Sequence, residues 1–320
     1  MRLVFCGSGS FAIASLRAVV QAGHEVAAVV TQPARPAGRG ARIRPTPLAE
    51  EAANLGLKVL EFRSINAWDS VAAIGALSPQ VLCVVDFGQL VRLQVRELAP
   101  LGAFNLHGSL LPELRGAAPV NWAIIRGYQR TGVTTFSLVD RMDAGPIYLQ
   151  AGLDINPNET AQELRERLSE LGAGLVCRTL EMLGSAPAAG QPQDDSLATL
   201  APKLTKAEGQ LDFTADALAI RNRIHGTWPW PGGHCLFANR QGKQTPVVLA
   251  RAAFEEGAAE PGAVDTDGLI GTGNGRLRIH ELQPAGKRIM TWRDFVNGYR
   301  VAAGDRFNKL EEPALGVDGA

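Results

Sequence analysis

At 320 residues the chain is long enough for two domains or one large one. It is 46% hydrophobic and 20% charged, and its 32 Lys and Arg balance 32 Asp and Glu. No global field therefore draws it to nucleic acid or a membrane, and any basic surface must be local. The opening MRLVFCGSGSFA is too short an apolar run for a secretory signal, and no later stretch is long enough to span a bilayer. Cys6, Cys83, Cys177 and Cys235 show no metal-ligand spacing, so reduced thiols in a cytoplasmic protein are expected, without metal or disulfide.

The first half alternates between two periodicities. RLVFCG is a short apolar run ending in Gly, FAIASLRAVVQAG has helical spacing with a stop at Gly23, and EVAAVVT is a buried-type strand. An irregular loop precedes helical PLAEEAANLG and strand LKVLEF; a helix near Trp68 to Leu77 precedes the very apolar QVLCVVDF, and GAFNLH follows. Runs apolar on both faces, separated by helices, predict a parallel sheet covered by helices, with ligands bound beyond the carboxyl ends of its strands. From Thr131 the pattern turns β-rich (GVTTFSLVD, GPIYLQAGLDI), and a helix over about Thr160 to Leu183 closes the unit. GSAPAAGQPQDDS has no apolar periodicity and reads as a linker. Beyond it, helical ALAIRNRIHG leads into short strands punctuated by Gly and Asn, the spacing of a small barrel. The expected division is 1–185, a linker 186–208, a barrel 209–310 and a disordered tail 311–320.

GSGSFA, after a strand and opening a helix, fits a dinucleotide-binding turn. The second strand should then end in an acid for the ribose, yet none lies between Glu25 and Glu50. The turn is expected to serve close helix–strand packing, and a dehydrogenase is disfavoured.

GAFNLH carries the chemistry. Residues two apart on a strand share a face, so Asn105 and His107 should stand side by side at a ligand-binding strand end. An amide with two donors beside an imidazole suits a reaction in which charge develops on a carbonyl oxygen while protons move nearby. The alternative is a His that caps a strand end through backbone bonds. VDRMDAGPIYL supplies two carboxylates, Asp140 and Asp143, the second in a turn that could face a cleft or could be turn chemistry alone. There is no GxSxG motif, and Ser109 is not a plausible nucleophile, so direct transfer is the more economical chemistry.

Charge is locally one-signed. TQPARPAGRGARIRPTP holds Arg35, Arg39, Arg42 and Arg44 with no acid, and reads as an exposed loop at the active-site edge. Five basic residues and no acid lie between Asp216 and Glu255, and Arg276 to Lys309 holds eight basic against three acidic residues. Barrels of this kind bind nucleic acid through such faces. In TWPWPGG, Trp228 and Trp230 are expected to pack in the core.

NLHGSLLP, RGAAP and MDAGPIY together resemble the folate-dependent formyltransferase family, and TQPARPAGRG and QPAGKRIM are similar to its tRNA-directed members. The resemblance runs in matching order from the first strand to about Lys309. It implies a Rossmann-like parallel-type sheet domain followed by a smaller OB-like β-barrel domain. It implies 10-formyltetrahydrofolate as co-substrate, initiator Met-tRNA as acceptor, and Asn105, His107 and Asp143 as the catalytic residues. Folate contacts would come from Phe87, Gly88, Ser109, Leu110, Leu111 and Pro112. Contacts to tRNA would come from Arg35, Arg39, Arg42, Arg44, Lys203, Lys206, Lys287 and Arg288, Arg39 foremost. A monomer is expected. The sequence departs from the family in two places: its first turn has Gly9 where Pro is usual, and Asp86 replaces a small residue before Phe87-Gly88. The rival readings are transfer to an amino-sugar nucleotide and a non-catalytic RNA-binding relative.

Overall fold

The first strand, β1 (Arg2–Gly7), is buried from Leu3 onward and forms the middle of a sheet, as its unbroken apolar run requires. The structure is a computed structural model that describes residues 1–37, 42–185 and 189–310. From β1 the chain passes through α1 (Ile13–Gln21), β2 (Glu25–Thr31), the short strands β3 (Arg35–Ala37) and β4 (Arg42–Arg44), α2 (Pro47–Asn54) and β5 (Val59–Glu61). It continues with α3 (Trp68–Gly75), β6 (Val81–Val85), α4 (Leu93–Arg96) and β7 (Ala103–His107), then α5 (Pro119–Ile125), β8 (Arg130–Ser137), β9 (Ile147–Asp154) and the 25-residue α6 (Ala161–Ser185). Seven strands form one sheet in the order β5-β2-β1-β6-β7-β8-β9. Pairings from β5 to β7 are parallel; β7–β8 and β8–β9 are antiparallel. The Rossmann-like half is therefore mixed at one edge, where the sequence turned from β-α alternation to β-rich segments.

Two compact units emerge: Met1–Pro119 with Arg130–Asp154 and Arg165–Pro202, and Val120–Gln129 with Ile155–Leu164 and the chain from Lys203. Residues 189–202, within the stretch read as linker, belong with the first unit. Their order comes from hydrogen bonds to loops of that unit rather than from an apolar face, so periodicity carried no sign of it. The 311–320 tail lies outside the described residues.

The second unit contains α7 (Ala217–Thr227), β10 (Gly233–Ala238), β11 (Gln244–Glu255), β12 (Ile270–Gly271), β13 (Arg276–Pro284), β14 (Met290–Thr291), α8 (Trp292–Tyr299) and β15 (Arg306–Asn308). Its antiparallel sheet runs β12-β13-β11-β10-β15. Gly262–Val264 bridges the two ends: Ala263 pairs with Arg306 in β15, and Val264 with Ile270 in β12. That link closes the sheet into a barrel and removes its free edges. Phe237, Phe295 and Phe307 fill the interior, with ring centroids 5.1–5.2 Å from Phe237. Of the two tryptophans expected in a core, Trp228 is half-buried but Trp230 is 54% exposed, because the TWPWPGG turn carries it outside the barrel.

The glycine turn after β1, expected to serve close helix–strand packing, is close-packed against β6 and α2, where Leu48 Cδ2 would lie 2.7 Å from a Cβ at Gly7. A Cβ at Gly7 would lie 2.5 Å from the Val85 carbonyl oxygen, so only glycine lets β1 approach β6 there. All four cysteines are free, and burial pushes the Cys6 thiol up to about 12.

Candidate active site

β7 is the strand at which the sheet changes from parallel to antiparallel pairing. Its residues pair with β6 on one side and, through Asn105↔Phe136 and His107↔Thr134, with β8 on the other. Asn105 and His107 are two apart on it and share a face. His107 is 6% exposed. Its Nε2 lies 2.9 Å from the Leu114 carbonyl oxygen, which can only accept, so Nε2 carries a proton. Nδ1 is then the atom left to exchange a proton, and it faces Asp143 Oδ2 at 3.8 Å. That distance is too long for a hydrogen bond, and the contact becomes an ion pair only when Nδ1 takes a proton. Asn105 is half-buried, and among the described residues its amide has no hydrogen-bond partner. Unengaged donors beside a buried imidazole are what a developing oxyanion would use.

The two carboxylates of VDRMDAGP separate. Asp140 points outward, 81% exposed, and pairs with Arg96 at 2.7 Å. Asp143 stands at φ +51° in the turn after it, with its carboxylate 13% exposed and accepting from the Gly116 amide at 2.8 Å. Ser109 gives its hydroxyl proton to the Glu113 carbonyl at 2.6 Å, so it forms no nucleophile–base pair with His107.

The segments expected to meet folate are well held. The Phe87 ring is buried in the core, so only its backbone remains for a ligand, and its carbonyl accepts from Gln32 Nε2 at 2.8 Å. Gly88 follows at φ +70°. Ser109 and Leu111 are buried, Leu110 and Pro112 half-buried; the Ser109 carbonyl accepts from the Thr134 hydroxyl at 2.7 Å, and that hydroxyl accepts from the Leu111 amide at 3.1 Å. Asp86, expected from the resemblance to be a departure, has its carboxylate engaged in an ion pair with Arg165. Its backbone carbonyl accepts from both the Ser8 and Gly9 amides.

The arginine-rich segment, expected as a plain loop, is an antiparallel pair of short strands with Arg35 opposite Arg44 and Ala37 opposite Arg42. Local backbone pairing wins there although the sequence has no period-2 alternation. Arg35 and Arg44 are exposed; Arg39 lies outside the described residues. In the second unit Lys203, Lys206, Lys287 and Arg288 are all exposed. Sequence reasoning missed Leu114, whose contribution is a backbone carbonyl, and Gln193 and Thr199, whose polar letters sit in a Pro/Gly/Ala-rich stretch.

The formyl transferase model matches residues 1–180, and a model for the formyl transferase C-terminal domain matches residues 203–300. The chain belongs to the formyl transferase family. This formyl transferase is 40% identical to the methionyl-tRNA formyltransferase of Solibacter usitatus over 311 residues, 97% of this chain and 99% of that one. It is 42% identical to the methionyl-tRNA formyltransferase of Koribacter versatilis over 315 residues, again 97% and 99%. Among solved structures, HypX from Aquifex aeolicus superposes with a TM-score of 0.65 at 17% identity, over 93% of this chain and 49% of that one, a likeness of fold. No helix among the described residues is long and apolar enough to cross a membrane.

Proposed function

We propose that this formyl transferase moves the formyl group of 10-formyltetrahydrofolate onto the α-amine of initiator Met-tRNA by direct attack. The observation that carries the reading is Asn105 and His107 on one face at the end of β7 with Asp143 across from Nδ1, in a chain 40–42% identical to methionyl-tRNA formyltransferases along nearly its whole length.

In this mechanism a bond forms between the amine nitrogen and the formyl carbon, the carbonyl oxygen takes up the charge, and the bond from that carbon to folate N10 then breaks. Asn105 donates to the oxygen as it becomes an oxyanion. His107 takes the amine proton on Nδ1 and passes it to N10, and the Asp143 carboxylate compensates the imidazolium in between. Nε2 stays with Leu114 throughout, so the ring keeps its orientation. The backbone of Phe87 and Gly88 and the Ser109, Leu110, Leu111 and Pro112 segment would hold the folate. They fit it: Arg165 neutralises Asp86, and the Phe87 carbonyl is tied to Gln32, so the loop offers a fixed backbone without a bare carboxylate.

For the tRNA we assign Arg35, Arg39, Arg42, Arg44, Lys203, Lys206, Lys287 and Arg288. Arg35 and Arg44 face each other across the hairpin with no ion-pair partner among the described residues. Like charges directly opposite are destabilising until an anion lies against them, which is what a phosphate backbone provides. The reading has the enzyme working as a cytoplasmic monomer, and light scattering at assay concentration tests the monomer. The deciding experiment combines purified protein, 10-formyltetrahydrofolate and charged initiator tRNA and follows formylmethionyl-tRNA. Product with an amino-sugar nucleotide but not with tRNA would overturn the proposal, as would tight tRNA binding without turnover.

A further inference from the structure

Residues 189–202 do more than join two domains. Gln191 exchanges both backbone hydrogen bonds with Ile147, at 2.7 and 2.8 Å. Gln193 then donates from Nε2 to the Asp143 carbonyl at 2.9 Å and the Gly145 carbonyl at 2.7 Å. Its Oε1 accepts from Arg115 Nη2 at 2.6 Å and Nε at 3.1 Å. Further along the segment, the Thr199 hydroxyl accepts from the Leu114 amide at 2.8 Å, and the Thr199 carbonyl accepts from the Arg115 amide at 2.8 Å. Ala201 closes the series: its amide donates to the Arg115 carbonyl at 2.7 Å, and a Cβ at Gly116 would come within 2.5 Å of its carbonyl oxygen.

The contacts converge on the two residues that flank His107, Leu114 at Nε2 and Asp143 at Nδ1. Both stand in left-handed backbone, at φ +58° and +51°. For a bulky leucine that conformation persists only where surroundings over-determine it. The surroundings here are Thr199 for Leu114 and Gln193 for Asp143.

We infer that residues 189–202 are a strap that sets the imidazole from both ends, with Gln193 and Thr199 as positioning residues acting through Asp143 and Leu114. The inference rests on the catalytic roles proposed above for His107 and Asp143.

Gln193→Glu separates the two halves of Gln193, because it keeps an acceptor for Arg115 but loses the donors to the Asp143 and Gly145 carbonyls. The expected result is a 10- to 100-fold fall in kcat, with KM for folate and for tRNA within twofold and the melting temperature within a few degrees. Thr199→Val should lower kcat similarly and Thr199→Ser, which keeps the hydroxyl, should restore it. In single-turnover assays, adding Gln193→Glu to Asp143→Ala should cost less than a further twofold, since the donor acts through a carboxylate already gone. Effects that multiply, or Gln193→Glu within twofold of wild type, overturn the strap while leaving the catalytic reading intact. Asp143→Ala with unchanged kcat overturns the catalytic reading and the strap with it.

Discussion

Gly9 and Asp86, read from the sequence as two separate departures from the motifs it resembles, are one feature in the structure. A Cβ at Gly9 would lie 1.8 Å from Asp86 Oδ2 and 2.6 Å from its Cγ, and no other atom comes closer than 3.2 Å. Gly9 has φ −82° and ψ 170°, which alanine adopts freely, so the obstacle is the carboxylate alone. Gly9→Ala must therefore displace a side chain held by Arg165. Overpacking of this kind costs about 1–3 kcal/mol. Losing a partly exposed ion pair adds less than about 1 kcal/mol. Asp86→Gly removes the clashing atoms and suits the φ of +50° at that residue. In that background Gly9→Ala should be neutral, or stabilising by up to about 1 kcal/mol through a less flexible unfolded chain. The coupling is then about 2 kcal/mol. For a unit of this size it amounts to roughly 4–8 °C. Calorimetry on wild type, both single variants and the double variant measures it. A Gly9→Ala cost that is the same in both backgrounds, to within about 0.5 kcal/mol, refutes the reasoning.

Three further outcomes are expected. Asn105→Ala should lower kcat by about two to three orders of magnitude, measured in steady-state formylation; activity within a few-fold of wild type removes the amide from the mechanism. Arg35→Ala with Arg44→Ala should weaken tRNA binding, spare folate KM and flatten the slope of log K against log salt by roughly 0.9 for each phosphate no longer neutralised; an unchanged slope in filter binding places the hairpin off the tRNA. His225 is buried in the second unit with Nε2 accepting from the Ala252 amide, and desolvation, then Arg221 and Arg251, lower its pKa from 6.5 to about 4. Because the unfolded chain takes up this proton first, stability is full above pH 6.5 and falls by up to about 3 kcal/mol towards pH 4. His225→Gln, which keeps the acceptor, should flatten denaturant midpoints over that window, and a slope equal to wild type would show that other groups set it.

What the sequence made legible follows from where the information sits in a chain. β6 reads as a strand because all five of its residues are buried, and a parallel strand covered on both faces has no polar letter to confuse the pattern. Asn105 and His107 were placed together by the period of a strand, which needs no partner to be known. Which of Asp140 and Asp143 lies near His107 was beyond spacing, since three residues in a turn can point anywhere; in the structure Asp143, in left-handed backbone, lies 3.8 Å from Nδ1 and Asp140 pairs outward with Arg96. The strap was illegible for a different reason. Most of its bonds end on backbone carbonyls and amides, which every residue owns, so nothing in GQPQDDSLATLA distinguishes a tether from a clamp.

The Gly9–Asp86 pair marks the same boundary from the other side. Taken one position at a time, a lost proline and a gained carboxylate are two weaknesses in the resemblance, the second of them beside the expected folate loop. In space the carboxylate occupies the volume that any side chain at position 9 would need, and Arg165 takes its charge. With the Asp86 carboxylate placed as it is, a Cβ at position 9 cannot enter unless that side chain moves, so the letters count two departures from the resemblance where the packing holds one coupled pair. The loop that follows keeps its course, because the Asp86 carbonyl, which no substitution alters, still receives the amides of Ser8 and Gly9. The backbone contact and the side-chain packing are thus separable, and the course of the segment that runs on to Phe87 and Gly88 is fixed by the first.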